Sequence, residues 1–176
     1  TQVVVLYALL HDGEPRFTPK KLANRLGYTA MTMTRVLDEL EGAGLGQISM
    51  EGRERVLRFD RNKKELWGNA LERLRSPVKK RLWVKHSLKK PLGTKAGLSA
   101  LAYYSALAEP ANPVFSLEGK KWKGIKTDKN LRVLDISEPY ACRLEIWSYP
   151  PELFAKSGVV DRFSLCLSMR ADDDER

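Results

Sequence analysis

Cysteine and histidine are scarce, with two of each in 176 residues. None of Cys142, Cys166, His11 and His86 has a second potential ligand at metal-site spacing, so no zinc site is expected. In a chain without a secretory signal, both cysteines read as buried free thiols. No apolar run is long enough to cross a bilayer. The apolar opening Val3-Val4-Val5-Leu6 is short and lacks the basic flank of a signal peptide. A cytoplasmic protein without a membrane partner is the expectation. The chain opens on Thr1 rather than Met, which points to residues upstream.

Catalytic equipment is equally thin. Ser105 and Ser168 have no nucleophile-elbow glycines around them, and no phosphate loop or dinucleotide fingerprint occurs. Asp161 with Asp172, Asp173 and Asp174 has the residue types of a Mg²⁺-dependent nuclease, but a solvated acidic tail has the same composition. No catalytic residue, metal or cofactor is therefore expected.

Positive charge is abundant and local. Residues 1–52 hold 5 Lys/Arg against 6 Asp/Glu, residues 53–95 hold 15 against 4, and residues 96–176 hold 11 against 12. The whole net charge of +9 thus arises in the middle segment. A block that lopsided calls for a polyanion or a solvated linker.

Hydrophobic spacing predicts a helix over residues 3–11, with Leu6, Leu9 and Leu10 for a core. Thr18 followed by Pro19 is a helix start: the hydroxyl caps, and the ring pre-sets φ. Leu22, Ala23 and Leu26 give that second helix an apolar side, and Gly27 ends it. A third helix over residues 30–41 sorts its faces by the 100° step per residue. Met33, Val36, Leu37 and Leu40 fall inward; Met31, Thr34, Arg35 and Asp38 fall outward, with Thr32 on the flank. Two β-prone runs, 46–50 and 55–59, are joined by Glu51-Gly52-Arg53-Glu54. Helix, turn, helix and basic-tipped hairpin is the order of a winged helix-turn-helix.

Further along, residues 62–74 repeat a helical pattern, and 79–85 alternate cations with Leu82 and Val84 around Trp83, as an extended strand would. Residues 89–93 read as a basic linker. Beyond it come a helix over 98–107, a hairpin of 114–117 with 122–125, a strand over 143–149, one helical turn near 152–156, and a last strand over 163–169. Trp122 and Trp147 belong to the sheet core. The expected class is α/β (α+β): a winged helix-turn-helix at 1–75, a basic connecting segment at 76–91, and a smaller mixed α+β domain at 92–176.

The stretch Thr29-Ala30-Met31-Thr32-Met33-Thr34-Arg35 suits the start of a recognition helix. Threonine hydroxyls reach phosphates or base edges, threonine and methionine methyls meet a thymine methyl, and arginine takes guanine O6 and N7 together. Arg53 and Arg55 would enter a minor groove or clamp phosphates. Lys20 and Lys21, beside the capping Thr18, would meet the backbone where the second helix crosses it. The candidate DNA-binding set is thus Thr18, Lys20, Lys21, Thr29, Met31, Thr32, Thr34, Arg35, Arg53 and Arg55. A solvated polar face is the plain alternative for each.

Residues 17–60, in this order of elements, resemble the MarR-like winged-helix regulators. A second resemblance lies in Lys95-Ala96-Gly97-Leu98-Ser99-Ala100-Leu101-Ala102-Tyr103-Tyr104-Ser105, with residues 143–151 and 160–165. These are similar to the C-terminal domain of type IV toxin–antitoxin antitoxins of the abortive-infection E kind. That likeness implies an autorepressing antitoxin countering a nucleotidyltransferase toxin. Members often continue into another helix, where this chain ends at Arg176. The resulting expectation is a DNA-binding transcriptional regulator, not an enzyme, with double-stranded DNA as partner, a cognate nucleotidyltransferase toxin, and a homodimer as a further partner. The runner-up is a winged helix serving as a protein-interaction module, a scaffold or replication accessory factor.

Overall fold

The computed structural model describes residues 1–11, 16–60, 62–87 and 91–170. The fold is α+β and divides into two units, Thr1–Arg75 and Ser76–Arg176.

In the first unit, helices α1 (Gln2–Leu10), α2 (Pro19–Leu26) and α3 (Ala30–Gly42) precede strands β1 (Gln47–Glu51) and β2 (Glu54–Arg58) and helix α4 (Lys63–Ala70). Every residue of α1 from Val3 to Leu9 is buried, as suits a helix that is apolar all round, while Leu10 is only half-buried. The Thr18 hydroxyl accepts the Lys21 N–H at 3.3 Å, and Gly27 closes α2 at φ +74°. Helix α3 packs on α2, and its Met33, Val36, Leu37 and Leu40 are all buried. Strands β1 and β2 pair so that Glu51 faces Glu54, leaving Gly52 and Arg53 as the loop. Gly52, at φ +61°, takes the positive φ that a two-residue hairpin turn needs. Phe17 exchanges both backbone hydrogen bonds with Leu57, at 3.0 and 2.9 Å, adding one more rung. The Gln2 side chain bonds both the carbonyl and the N–H of Arg75, tying the ends of the unit together.

The second unit holds β3 (Val78–His86), β4 (Thr94–Lys95), α5 (Gly97–Tyr104), β5 (Val114–Glu118), α6 (Gly119–Ile125), β6 (Leu131–Leu134), β7 (Cys142–Trp147), a 3₁₀ turn (Pro151–Leu153) and α7 (Arg162–Arg170). Its sheet order is β4-β5-β7-β3-β6; β5 runs parallel to β7, and the other pairs are antiparallel. One face carries Val84, Phe115, Leu117, Cys142, Leu144 and Ile146, with Trp122 and Ile125 of α6 packed on them. Alternation along the strands sends Ser116, Glu145 and Trp147 to the opposite face, where all three are buried. There Ser99 of α5 accepts the Val114 N–H at 2.9 Å, and Arg81 donates to the Ser168 carbonyl of α7 at 3.2 Å.

Several expectations need correction. Residues 76–91 do not merely connect: β3 pairs with both β7 and β6, well inside the sheet. The second unit therefore starts at Ser76, not 92, and is the longer of the two. Of the proposed linker, Lys89 and Lys90 lie outside the described residues, and Leu92 is buried in the core. Residues 119–125 are helical, because Trp122 and Ile125 meet the sheet at a spacing of three. Residues 162–170 are helical too: the Asp161 carboxylate accepts the Ser164 N–H at 2.9 Å and starts α7. Cys166 consequently sits exposed on a helix, while Cys142 is buried; both are free. Helix α4 stops at Ala70 and α5 at Tyr104, leaving Leu107 exposed, and β6 was not foreseen. The acidic residues 172–175 lie outside the described residues.

Candidate nucleic-acid interface

Helix α3 begins where Thr29 accepts the Thr32 N–H at 3.1 Å, with the two hydroxyls 2.9 Å apart. Thr34 donates to the Ala30 carbonyl at 3.0 Å. A hydroxyl carries one donor and two acceptor sites. Thr34 has therefore spent its proton, and its remaining lone pairs suit a base amino group better than a phosphate oxygen. Met31 is 69 % exposed and stands one turn before the exposed Arg35. Lys20 and Lys21 are exposed in the first turn of α2, whereas Thr18 is half-buried with its hydroxyl engaged as the cap.

The wing separates its cations into two groups. Arg55 is bonded to Asp38, so the wing is fastened to the outer face of α3. That bond holds the Arg55 guanidinium above its ordinary pKa, and its charge is permanent. Glu51 takes Arg16 on one carboxylate oxygen and Arg58 on the other. Arg53 stands exposed at the turn. Among the described residues, Arg35 and Arg53 have neither an ion-pair nor a hydrogen-bond partner. All five N–H donors of each guanidinium are thus open.

Asp38 is the residue of this surface whose role in fixing the wing the sequence does not reveal. Its place on the outer face was evident from the helical period, but its pairing with Arg55, across 17 residues of chain, leaves no local signature.

The basic block is divided by the unit boundary. Residues 1–75 hold 13 Lys/Arg against 10 Asp/Glu, and residues 76–176 hold 18 against 12. The excess is therefore +3 in the first unit and +6 in the second. Lys79 and Lys80 of β3 are exposed on the second unit.

Other candidates for chemistry have structural occupations. His11 stacks on Tyr7 at 4.1 Å between ring centroids, and Asp161 caps α7. Burial raises the Asp161 carboxyl above the ordinary range, although the hydrogen bonds at Ser164 pull the other way. Among the described residues, no group of three or more His, Cys, Asp or Glu is placed to hold a metal ion. No helix among them is long and apolar enough to cross a membrane.

Two helices joined by a short turn, the second with a polar outer face beside a two-stranded hairpin, define a winged helix-turn-helix. The MarR family profile matches residues 1–45, the three helices up to the wing. That match supports a MarR-like, DNA-binding transcriptional regulator. No curated protein and no solved structure matches the chain.

Proposed function

We propose that this regulator reads duplex DNA with α3 and represses the operon that encodes it, as the antitoxin of a type IV toxin–antitoxin pair. The observation that carries the DNA-reading part is the exposed Arg35 on the outer face of α3, without an internal partner, with Arg53 at the wing tip. Met31, Thr32 and Thr34 complete the base-facing row. Lys20 and Lys21 hold phosphates at the start of α2, which Thr18 fixes by capping, and Thr29 orients the start of α3. Arg55 serves the complex chiefly by holding the wing against Asp38. A homodimer would present two such helices to the two halves of a palindromic site.

The antitoxin role rests on the resemblance of residues 95–105, 143–151 and 160–165, all within the second unit. On this reading the first unit addresses the operator and the second counters a nucleotidyltransferase toxin in the cytoplasm.

A reporter fused to the promoter upstream of the gene tests the first part. The wild-type chain should repress it, and Arg35→Ala should not. Co-expression with a nucleotidyltransferase gene from the same operon tests the second. Growth rescued by the regulator, including its Arg35→Ala variant, is the expected result; no rescue removes the antitoxin role and leaves the regulator.

A further inference from the structure

Among the described residues, one edge of the second unit's sheet is covered and no further strand pairs with the other. At β4, Lys95 donates its N–H to the Gly158 carbonyl, and Val160 donates to the Lys95 carbonyl, so residues 158–160 shield that edge. At the other end β6 is the last strand. Cross-strand register gathers cations there on the face opposite the apolar core. Lys85 lies directly beside Arg132, and Trp83 lies beside Arg143. Glu138 approaches Lys85 at 3.4 Å and Arg132 at 3.7 Å, so one carboxylate stands between two cations. The Arg132 side chain remains 74 % exposed.

The turn that carries Glu138 also presents an aromatic ring. The Ala141 N–H bonds the Glu138 carbonyl at 3.1 Å, closing a four-residue turn with Pro139 and Tyr140 at its centre. Tyr140 has φ +64°, the conformation that a type II turn requires at this position and that glycine usually supplies. A bulky side chain resists it, yet the turn is held from below. The Asn112 amide donates to the Glu138 carbonyl at 2.9 Å and to the Ala141 carbonyl at 2.8 Å. The ring so held is 92 % exposed. Strained, over-determined backbone of this kind concentrates at binding sites.

We propose that this corner binds single-stranded nucleic acid, with Tyr140 and Trp83 stacking on bases and Lys85, Arg132 and Arg143 meeting phosphates. Stacking platforms between cations are the chemistry that single strands require, and a duplex hides its base faces. The site belongs to the second unit, whereas α3 belongs to the first, and it goes beyond the operator-reading role.

The test uses the full chain and a fluorescein-labelled single-stranded oligothymidylate, with a labelled duplex as comparison. Tyr140→Gly removes the ring and suits the positive φ, so folding is retained, as circular dichroism would verify. The wild-type chain should bind the single strand. Tyr140→Gly should weaken that binding about tenfold, the loss of one stacked base, and leave duplex binding within about twofold. Arg35→Ala should do the reverse, so failure of the duplex reading would show separately. No binding of the single strand by the wild-type chain overturns the proposal, as does an equal loss on single strand and duplex from Tyr140→Gly. If gel filtration shows self-association that Tyr140→Gly abolishes, while single-strand affinity is unchanged, the corner is a protein interface and the proposal falls.

Discussion

Replacing Arg35 by Ala separates reading from folding, because the two faces of α3 do different work. Arg35 is exposed, and no hydrogen bond or ion pair ties it to any described residue. Removing it leaves no unpaired partner, and alanine is a good helix former, so stability should change by no more than about 0.5 kcal/mol. A bidentate arginine–guanine contact is worth about 1–3 kcal/mol of discrimination. Cognate affinity should therefore fall roughly 5- to 150-fold, with a much smaller loss on scrambled duplex. Leu37, two residues on, is the control. It is fully buried, and Leu37→Ala should cost about 2–5 kcal/mol of stability through lost contacts and a residual cavity. Urea denaturation followed by circular dichroism measures the stability terms, and fluorescence anisotropy on cognate and scrambled duplexes measures the binding terms. Equal losses on both duplexes from Arg35→Ala would show that Arg35 is a phosphate contact and that the reader lies elsewhere.

Three further outcomes are expected. Burial raises the Glu145 carboxyl against the pull of the Trp147 N–H, Arg81 and Arg143, so the folded state holds that proton more tightly than the unfolded chain. Stability should then fall as pH rises from the ordinary carboxylate value through the raised one. Glu145→Gln, which keeps an acceptor for Trp147, should flatten part of that slope in urea titrations between about pH 4 and pH 7 and leave the share of Asp161; identical slopes would refute the assignment. Gly93→Ala would place a Cβ 2.2 Å from the Ser116 carbonyl oxygen, so a loss of about 1–3 kcal/mol is expected in tryptophan-monitored unfolding, and none would show that the backbone yields freely there. Thr18→Ala removes the cap of α2 and should cost about 1 kcal/mol by the same assay.

The first unit could be read closely from its residues because its signals are local. Thr18-Pro19, Gly27, Thr29 and Gly52 mark boundaries by chemistry that acts within four residues, and the 100° step separated Leu37 from Arg35 without knowledge of the fold. The second unit was harder for physical reasons. Trp122 and Ile125 were assigned to a strand because a short apolar run has too few periods to distinguish two from three. Residues 163–169 are β-prone, yet Asp161 caps them into a helix that packs through Ser164, Leu165, Leu167 and Ser168. The cations around Trp83 suggested a connecting segment, whereas β3 sits between β7 and β6, a placement set by non-local pairing. Which arginines are available was likewise hidden. Arg35 and Arg53 differ from Arg55 and Arg58 only through acids brought in by the fold.

Duplex binding across a salt series tests the central claim most directly. With fluorescence anisotropy on the full chain, log affinity should fall linearly with log salt at a slope of about −0.9 per neutralised phosphate. With Lys20, Lys21 and Arg53 at phosphates, the slope should be about −3 or steeper, and Arg53→Ala should make it shallower by nearly one contact. A flat response, or no binding at low salt, would contradict a duplex-binding role for this surface.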